Sequence, residues 1–324
     1  MSQPRVSLII SNRNGARFLP RLIASLHSQI GVTLQIIVVD RHSHDESRTI
    51  LSEHPEIEIV DEPPETGLVS GYTAGIVKAS YPLLAFANED MYFADDCLRR
   101  LADAIDLPRR VAAADPWQWS YDGARRIHGG TRFAARRFDV FGPWPFAHDD
   151  PLVDLPAGAD VPFANAAALL VDRGVFELVG GWATDFFLDY EDMDLGLRFW
   201  QHGWRMVHVP SARVFHAWGG SNAQVLASGS PVSQRRTVSA RASAVLMGIK
   251  YYSASCALVP LGTWLIRTAA NLLRGRVAAF RLELQVAVEI ARRVPVALEW
   301  RRRHRDQNRR APGQRFFRHP GFRG

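Results

Sequence analysis

Four apolar runs rich in branched residues, separated by helix-spaced segments, decide what the first ninety residues can build. Val6–Ile10, Gln35–Asp40 (QIIVVD), Ile57–Val60 and Pro82–Ala87 place apolar side chains in succession rather than alternately. A strand of that kind is buried on both faces, which is the condition of a parallel sheet covered by helices. After the Asn14-Gly15 break, Phe18, Leu19, Leu22, Ile23 and Leu26 recur at helical spacing. Leu68–Ser80 reads as a helix of small residues, and Asp96–Ile105 adds another with Leu98, Leu101, Ala102 and Ile105 on one face. The predicted class is α/β, a Rossmann-like, mostly parallel sheet with helices on both faces.

Residues 107–160 are rich in Pro, Gly and Trp and give no regular pattern. Order returns with an apolar strand at Ala164–Val171, a short helix near Arg173–Leu178, a helix over Glu191–His202 and a strand at Met206–Pro210. From about residue 235 the pattern is helical to Trp300. The expected organisation is one α/β domain over 1–235, with its halves dividing at about residue 106. A helical extension over 236–300 and an Arg-rich tail over 301–324 follow.

In an open parallel sheet, ligands gather at the carboxyl ends of the strands. Asp40 ends the second strand, Asp45 lies in the loop after it, and Asn88-Glu89-Asp90 ends the fourth. Each alone could be a helix cap or a solvated turn; the cluster is more informative than its members. The first turn, Ser11-Asn12-Arg13-Asn14-Gly15, carries neither G-x-G-x-x-G nor a P-loop, so phosphates must be held another way. A carboxylate at a strand end suits Mg2+ or Mn2+, which bridges diphosphate oxygens. Further along, Glu191, Asp192 and Asp194 open a helix in FFLDYEDMDLGLR, and His216 follows a strand. Acidic side chains also favour helix starts through the macrodipole, and a histidine after a strand is often structural. Trp117, Trp119, Trp144 and Trp182 are candidates for an aromatic stacking surface, or for a local core.

These pieces in this order resemble the family 2 glycosyltransferases, in particular a bacterial rhamnosyltransferase-like branch. The likeness spans roughly residues 5–222: VSLIISNRNGARFLPRLIASL, QIIVVDRHSHDES, GLVSGYTAGIVKA, the NED triplet, GGW with FFLDYEDMDLGLRFWQHG, and VPSARVFHAWGGS. The resemblance implies a GT-A fold, a nucleotide-diphosphate sugar donor, a divalent metal and inversion at the anomeric carbon. It implies that Asp40, Asp45, Ser11 and Asn12 line the nucleotide pocket and that Asn88 helps orient the ribose or metal. Asp90 and His216 would ligate the metal. Asp192 would be the base, with Glu191 beside it. Three positions depart from the family pattern: Ser11 replaces a usual Pro, Tyr72-Thr73 replace an Asn, and Ala183-Thr184 replace an acidic pair. Trp182, Trp117 and Trp119 remain candidates for the acceptor side.

Charge divides the chain. Residues 245–324 hold 16 Lys/Arg against 4 Asp/Glu, whereas residues 1–244 hold 23 against 29. The basic balance of the whole therefore gives no argument that the first part binds nucleic acid. Tyr251–Ile266 is uncharged but too short, with Pro260 and Gly262 inside it, for a simple membrane span. Interspersed arginines beyond it suit helices lying on an anionic bilayer, or an appendage packed on the domain or a second subunit. The two cysteines, Cys97 and Cys256, exclude a disulfide scaffold and suggest a reducing compartment. The chain opens directly into a strand, and no secretory signal is expected. The expectation is an inverting glycosyltransferase with a glycan or lipid-linked acceptor, peripheral on the cytoplasmic face of the inner membrane, its oligomeric state open. A sugar-phosphate nucleotidyltransferase and a non-catalytic carbohydrate-binding relative are the alternatives.

Overall fold

A computed structural model describes residues 3–63, 67–131, 154–186, 189–218, 231–251 and 254–304. Trp144, Gly219-Gly220-Ser221, Phe187-Leu188 and residues 305–324 lie outside the described residues.

The expected parallel core is present. Strands β1 (Arg5–Asn12), β2 (Thr33–Asp40), β3 (Ile57–Asp61) and β4 (Leu83–Asn88) pair in parallel in the order β3-β2-β1-β4. Successive residues of a strand face opposite sides, so the apolar runs feed two cores. Ile9, Ile37, Val39, Leu84 and Phe86 face one cluster, and Leu8, Ile10, Ile36, Val38 and Ala85 the other. Helix α1 (Leu19–His27) buries Leu19, Leu22, Ile23 and Leu26, with Pro20 in its first turn, where no helical N–H is lost. Helices α2 (Ser47–Ser52), α3 (Leu68–Lys78) and α4 (Cys97–Asp103) complete the first half.

The stretch from 107 that gave no pattern holds a strand inside the sheet. β6 (Val111–Ser120) lies between two others, and β7 (Arg126–His128) pairs with it. The short β5 (Met91–Phe93) precedes them. Pro116 cannot donate to a ladder and would argue against a central strand. A register shift between Pro116 and Trp117 accommodates it. β8 (Ala168–Asp172) runs antiparallel to both β4 and β6. It is shorter than the sequence suggests, because Asn165 turns the chain by accepting from Ala167 N–H. α5 (Arg173–Leu178) and α6 (Glu191–Gln201) match expectation, and β9 (Arg205–His216) is longer, parallel to β6 and antiparallel to β5.

Three helices follow: α7 (Pro231–Tyr251), α8 (Ala254–Leu273) and α9 (Val277–Arg303). Ala244, Met247 and Tyr251 of α7 join the core cluster that covers α6, and Trp300 of α9 packs on it. Ala242 and Val245 meet Val286 and Ile290 in a smaller cluster between α7 and α9.

Candidate active site

The parallel register brings the strand-end residues together. Asn12 is level with Asp40, and Ser11 with Asn88. Asn12 donates to Asp40 Oδ1 at 2.9 Å, and the Ser43 hydroxyl donates to the same oxygen. Asp45 is spent on the loop: its oxygens accept the N–H groups of Ala16 and Ser47 at 3.0 Å each. Burial alone would raise its pKa, but the hydrogen bonds from Ser47 and Ala16 hold the carboxyl below its ordinary value. The turn comes so close that a Cβ on Gly15 would lie 2.3 Å from Asn12 Oδ1 and 2.7 Å from Glu89 Cγ. Only glycine fits there.

Asp90 is buried in the turn between β4 and β5. Because Met91 is registered with His216, Asp90 Oδ1 lies 3.1 Å from His216 Nε2. The other ring nitrogen, Nδ1, lies 3.1 Å from Gln118 Oε1. A carbonyl oxygen can only accept, so that contact places the proton on Nδ1 and turns the Nε2 lone pair toward Asp90. Nε2 is buried and makes no hydrogen bond. An imidazole lone pair facing a carboxylate is a donor set for a divalent cation, and Gln118 is the partner that orients the ring. The residues therefore fit the expected metal. A different cluster, His27, His54 and Glu56, also brings ligand atoms within 4.8 Å of one another. It lies at the amino ends of the strands, where its members hydrogen-bond to one another.

The acidic start of α6 forms the other side. Asp189 and Tyr190 precede it in succession with φ of 70° and 76°, a left-handed backbone that costs non-glycine residues about 1–3 kcal/mol each. Arg236 of α7 grips Asp189 with two nitrogens, at 3.0 and 3.2 Å. Glu191 is buried with Oε2 unpartnered. Burial, then the charges of Asp192 and Asp189, push its carboxyl well above the ordinary value. Asp192 is half-buried and accepts from Met193 N–H at 2.7 Å. Burial lifts it to about 6, against the Met193 hydrogen bond and with help from Asp189. Both carboxyls are thus shifted upward, Glu191 by burial and its acidic neighbours and Asp192 chiefly by burial. Asp194 belongs to a different environment. It accepts from Lys250 Nζ and the Tyr251 hydroxyl, both at 2.7 Å, and from Arg198 Nε at 2.8 Å.

Tyr72, one of the departures from the family pattern, ties the two sides. Its fully buried hydroxyl is 3.0 Å from both Asn88 Oδ1 and the carbonyl of Ala166. Ala166 also donates its N–H to Asp192. Burial, then the charges of Glu191 and Glu89, keep the phenol well above its ordinary value. Arg41 is the cation of this region. Its Nε is buried without a partner, and its chain and Ser11 Oγ lie against Gly71. Burial holds its pKa below the ordinary value, opposed by Glu89.

The tryptophans divide. Trp182 stacks with Tyr72 and meets Phe86 and Phe176, and Trp117 packs on His208 beneath Arg126. Both are buried, so their ring faces are already covered by protein. Trp119 keeps partial exposure. Sequence reasoning missed Tyr72, Arg41, Gln118 and the Asp189–Arg236 pair. Only the first had a signal, its place in the family motif.

The family model described as Glycosyl transferase family 2 matches residues 7–177. The chain is similar to the N-acetylglucosaminyl-diphospho-decaprenol L-rhamnosyltransferase of Mycobacterium tuberculosis (strain ATCC 25618 / H37Rv), 27% identical over 223 residues, 61% of this chain and 71% of that protein. An uncharacterized glycosyltransferase of Mycobacterium bovis is 27% identical over 213 residues, 64% of this chain and 85% of its own. Among solved structures, GalNAc-T7 with UDP, GalNAc and Mn2+ aligns with a TM-score of 0.52 at 16% identity, over 66% of this chain and less than half, 44%, of its own. The mannosyltransferase PcManGT of Pyrobaculum calidifontis, in complex with GDP-Man and Mn2+, aligns at 0.50 and 15% identity over 90% and 87%. At these identities the structures show the GT-A fold.

Proposed function

The chain belongs to glycosyl transferase family 2, and on that premise we propose that it is an inverting enzyme moving a sugar from a nucleotide-diphosphate donor to a glycan or lipid-linked hydroxyl. The observation that carries this reading is the Tyr72 hydroxyl, which joins Asn88 beside Asp90 to the Ala166 segment that hydrogen-bonds Asp192. The strand-end residues assigned to the donor and the acidic pair assigned to the acceptor are thus tied through one side chain.

The nucleotide lies against Ser11, Asn12 and Asp40, in a loop held by Asp45, and Arg41 meets the diphosphate. Asp90 and His216 would hold Mg2+ or Mn2+. When bound, the ion supplies positive charge against the departing diphosphate. Asp192, ionised above about pH 6, takes the proton of the attacking hydroxyl. The new bond to the anomeric carbon forms on the face opposite the breaking bond, whose electron pair leaves with the diphosphate oxygen, so configuration inverts. Glu191 lies beside the base as its support, and Trp119 offers the acceptor a stacking surface. The mycobacterial relative's name specifies rhamnosyl transfer to a diphospho-decaprenol lipid. This supports a rhamnosyl donor, a lipid-linked acceptor and a role in cell-surface polysaccharide synthesis at the cytoplasmic face of the membrane.

The test is a panel of nucleotide sugars with candidate acceptors, scored by nucleoside diphosphate release with Mg2+ or Mn2+ and with chelator. Release that chelator and Asp90→Asn both abolish is expected. Release of pyrophosphate from a nucleoside triphosphate and a sugar phosphate would overturn the reading in favour of nucleotidyl transfer.

A further inference from the structure

The outer face of the C-terminal helical pair is built the wrong way round for water. On α9, Glu283, Val286, Ile290 and Ala297 are buried on one side. The opposite side carries Val277, Arg281, Leu284, Val288, Arg292 and Pro295 at helical spacing, all exposed. A surface helix ordinarily shows charged and polar residues of both signs there. On α8, Leu265, Ile266, Leu272 and Leu273 are also exposed, Leu273 by 86%. Of the 14 large apolar side chains exposed among the described residues, nine fall between Leu265 and Leu298. This concentration marks a patch rather than normal scatter.

The charges beside the patch identify its partner. All three glutamates of α8 and α9 are matched by the chain's own arginines: Glu283 by Arg241, Glu289 by Arg293, and Glu299 by Arg302 and Arg303. Arg274, Arg276 and Arg281 make no ion pair among the described residues. Arg274 and Arg276 sit in the α8–α9 turn, between Leu272-Leu273 and Val277. No helix among the described residues is long and apolar enough to cross a membrane. An isologous dimer through this face would bring unmatched arginines of two copies together. We propose that the α8–α9 turn and the outer stripe of α9 dock on an anionic bilayer, with Leu272, Leu273 and Val277 among the acyl chains and Arg274, Arg276 and Arg281 on lipid phosphates. The opposite faces of the same helical unit grip α6 through Lys250, Tyr251 and Trp300. Docking would therefore hold the catalytic helix at a set distance from the lipid surface.

The proposal draws on the transfer reading only in giving a lipid-linked acceptor its place. Vesicle binding is measured without donor or acceptor, and donor turnover without vesicles, so either can fail alone. The experiment is sedimentation of the full chain with phosphatidylcholine vesicles, with and without phosphatidylglycerol, at low and high salt. Circular dichroism and light scattering would be run alongside. Binding is expected only with the anionic vesicles and should weaken in salt. Arg274→Gln/Arg276→Gln should weaken it roughly 25-fold, about fivefold per arginine. Leu272→Gln/Leu273→Gln should remove the salt-resistant part while the far-ultraviolet spectrum is kept. Three results would overturn the proposal: no pelleting with anionic vesicles at low salt, variants that bind as the parent does, or a parent dimer that Leu272→Gln/Leu273→Gln dissociates.

Discussion

Lys250 Nζ lies 2.7 Å from Asp194 Oδ1, both groups are fully enclosed, and 56 residues of chain separate them. Tyr251 donates to the same oxygen and Arg198 to the other. Asp194 sits in the first turn of the helix that Glu191 and Asp192 begin, so the C-terminal extension holds that helix from behind. Removing one partner of a buried pair leaves an uncompensated charge, at about 3–5 kcal/mol. Lys250→Met should lower the unfolding free energy, read from urea titrations, by that amount. Truncation before residue 231 should leave a chain that does not fold cooperatively.

The same pair makes stability depend on acid. Burial alone would raise the Asp194 carboxyl, but Lys250 and Arg198 prevail and hold it at about 2, below the ordinary carboxylate range. A depressed carboxylate contributes stability above its unfolded value and loses it as pH falls through the folded value. Roughly 2 kcal/mol should therefore disappear between about pH 4 and pH 2. Urea titrations across that range should show the loss, and Lys250→Met should shrink it.

Asp192 should set the acidic limb of the rate profile. Its carboxyl is lifted to about 6, chiefly by burial, so turnover should rise with pH through about 6 and level off above. Asp192→Asn should lower turnover roughly 10²–10⁴-fold with donor binding kept. If Glu191→Gln is inactive and Asp192→Asn nearly normal, the two roles are exchanged.

Gln118 should be felt through the metal. Its Oε1 accepts from His216 Nδ1 and leaves Nε2 facing Asp90. Gln118→Leu should weaken Mn2+ binding in the presence of nucleoside diphosphate by about 10–100-fold, with little change in thermal unfolding. An unchanged Mn2+ titration would show that His216 is held by other means.

Arg236 should act on turnover more than on donor affinity. It holds Asp189 in the left-handed turn that aims the start of α6. Arg236→Gln should reduce kcat with the donor KM nearly constant, and Arg236→Lys should restore part of it. Equal loss in both parameters would argue for a general folding defect.

The strands β1 to β4 and helices α1 and α3 were legible because their signals are local. An unbroken apolar run states that both faces are buried, and a carboxylate at its end states where polar chemistry can collect. Strand β6 was not legible, because Pro116 and the tryptophans of VAAADPWQWS deny it any period. Its place between β8 and β9 comes from partners that supply the ladder and from a register shift that absorbs the proline. Trp117 and Trp182 show the same limit, since an aromatic ring reads alike whether it is to meet a sugar or a core.

The sequence by itself determined the parallel strands β1 to β4, their carboxyl-end acids and the family, since repeating patterns and ordered motifs need no knowledge of what lies across the fold. Only the tertiary structure decided which groups face one another. It set His216 against Asp90 and Gln118, Tyr72 between Asn88 and Ala166, and Lys250 inside the catalytic helix's core. Charge burial has no periodicity along a chain. Whether Asp192 sits near 6 or Asp194 near 2 depends on how much water is excluded and which opposite charge arrives. Those partners come from strands and helices far away in the sequence.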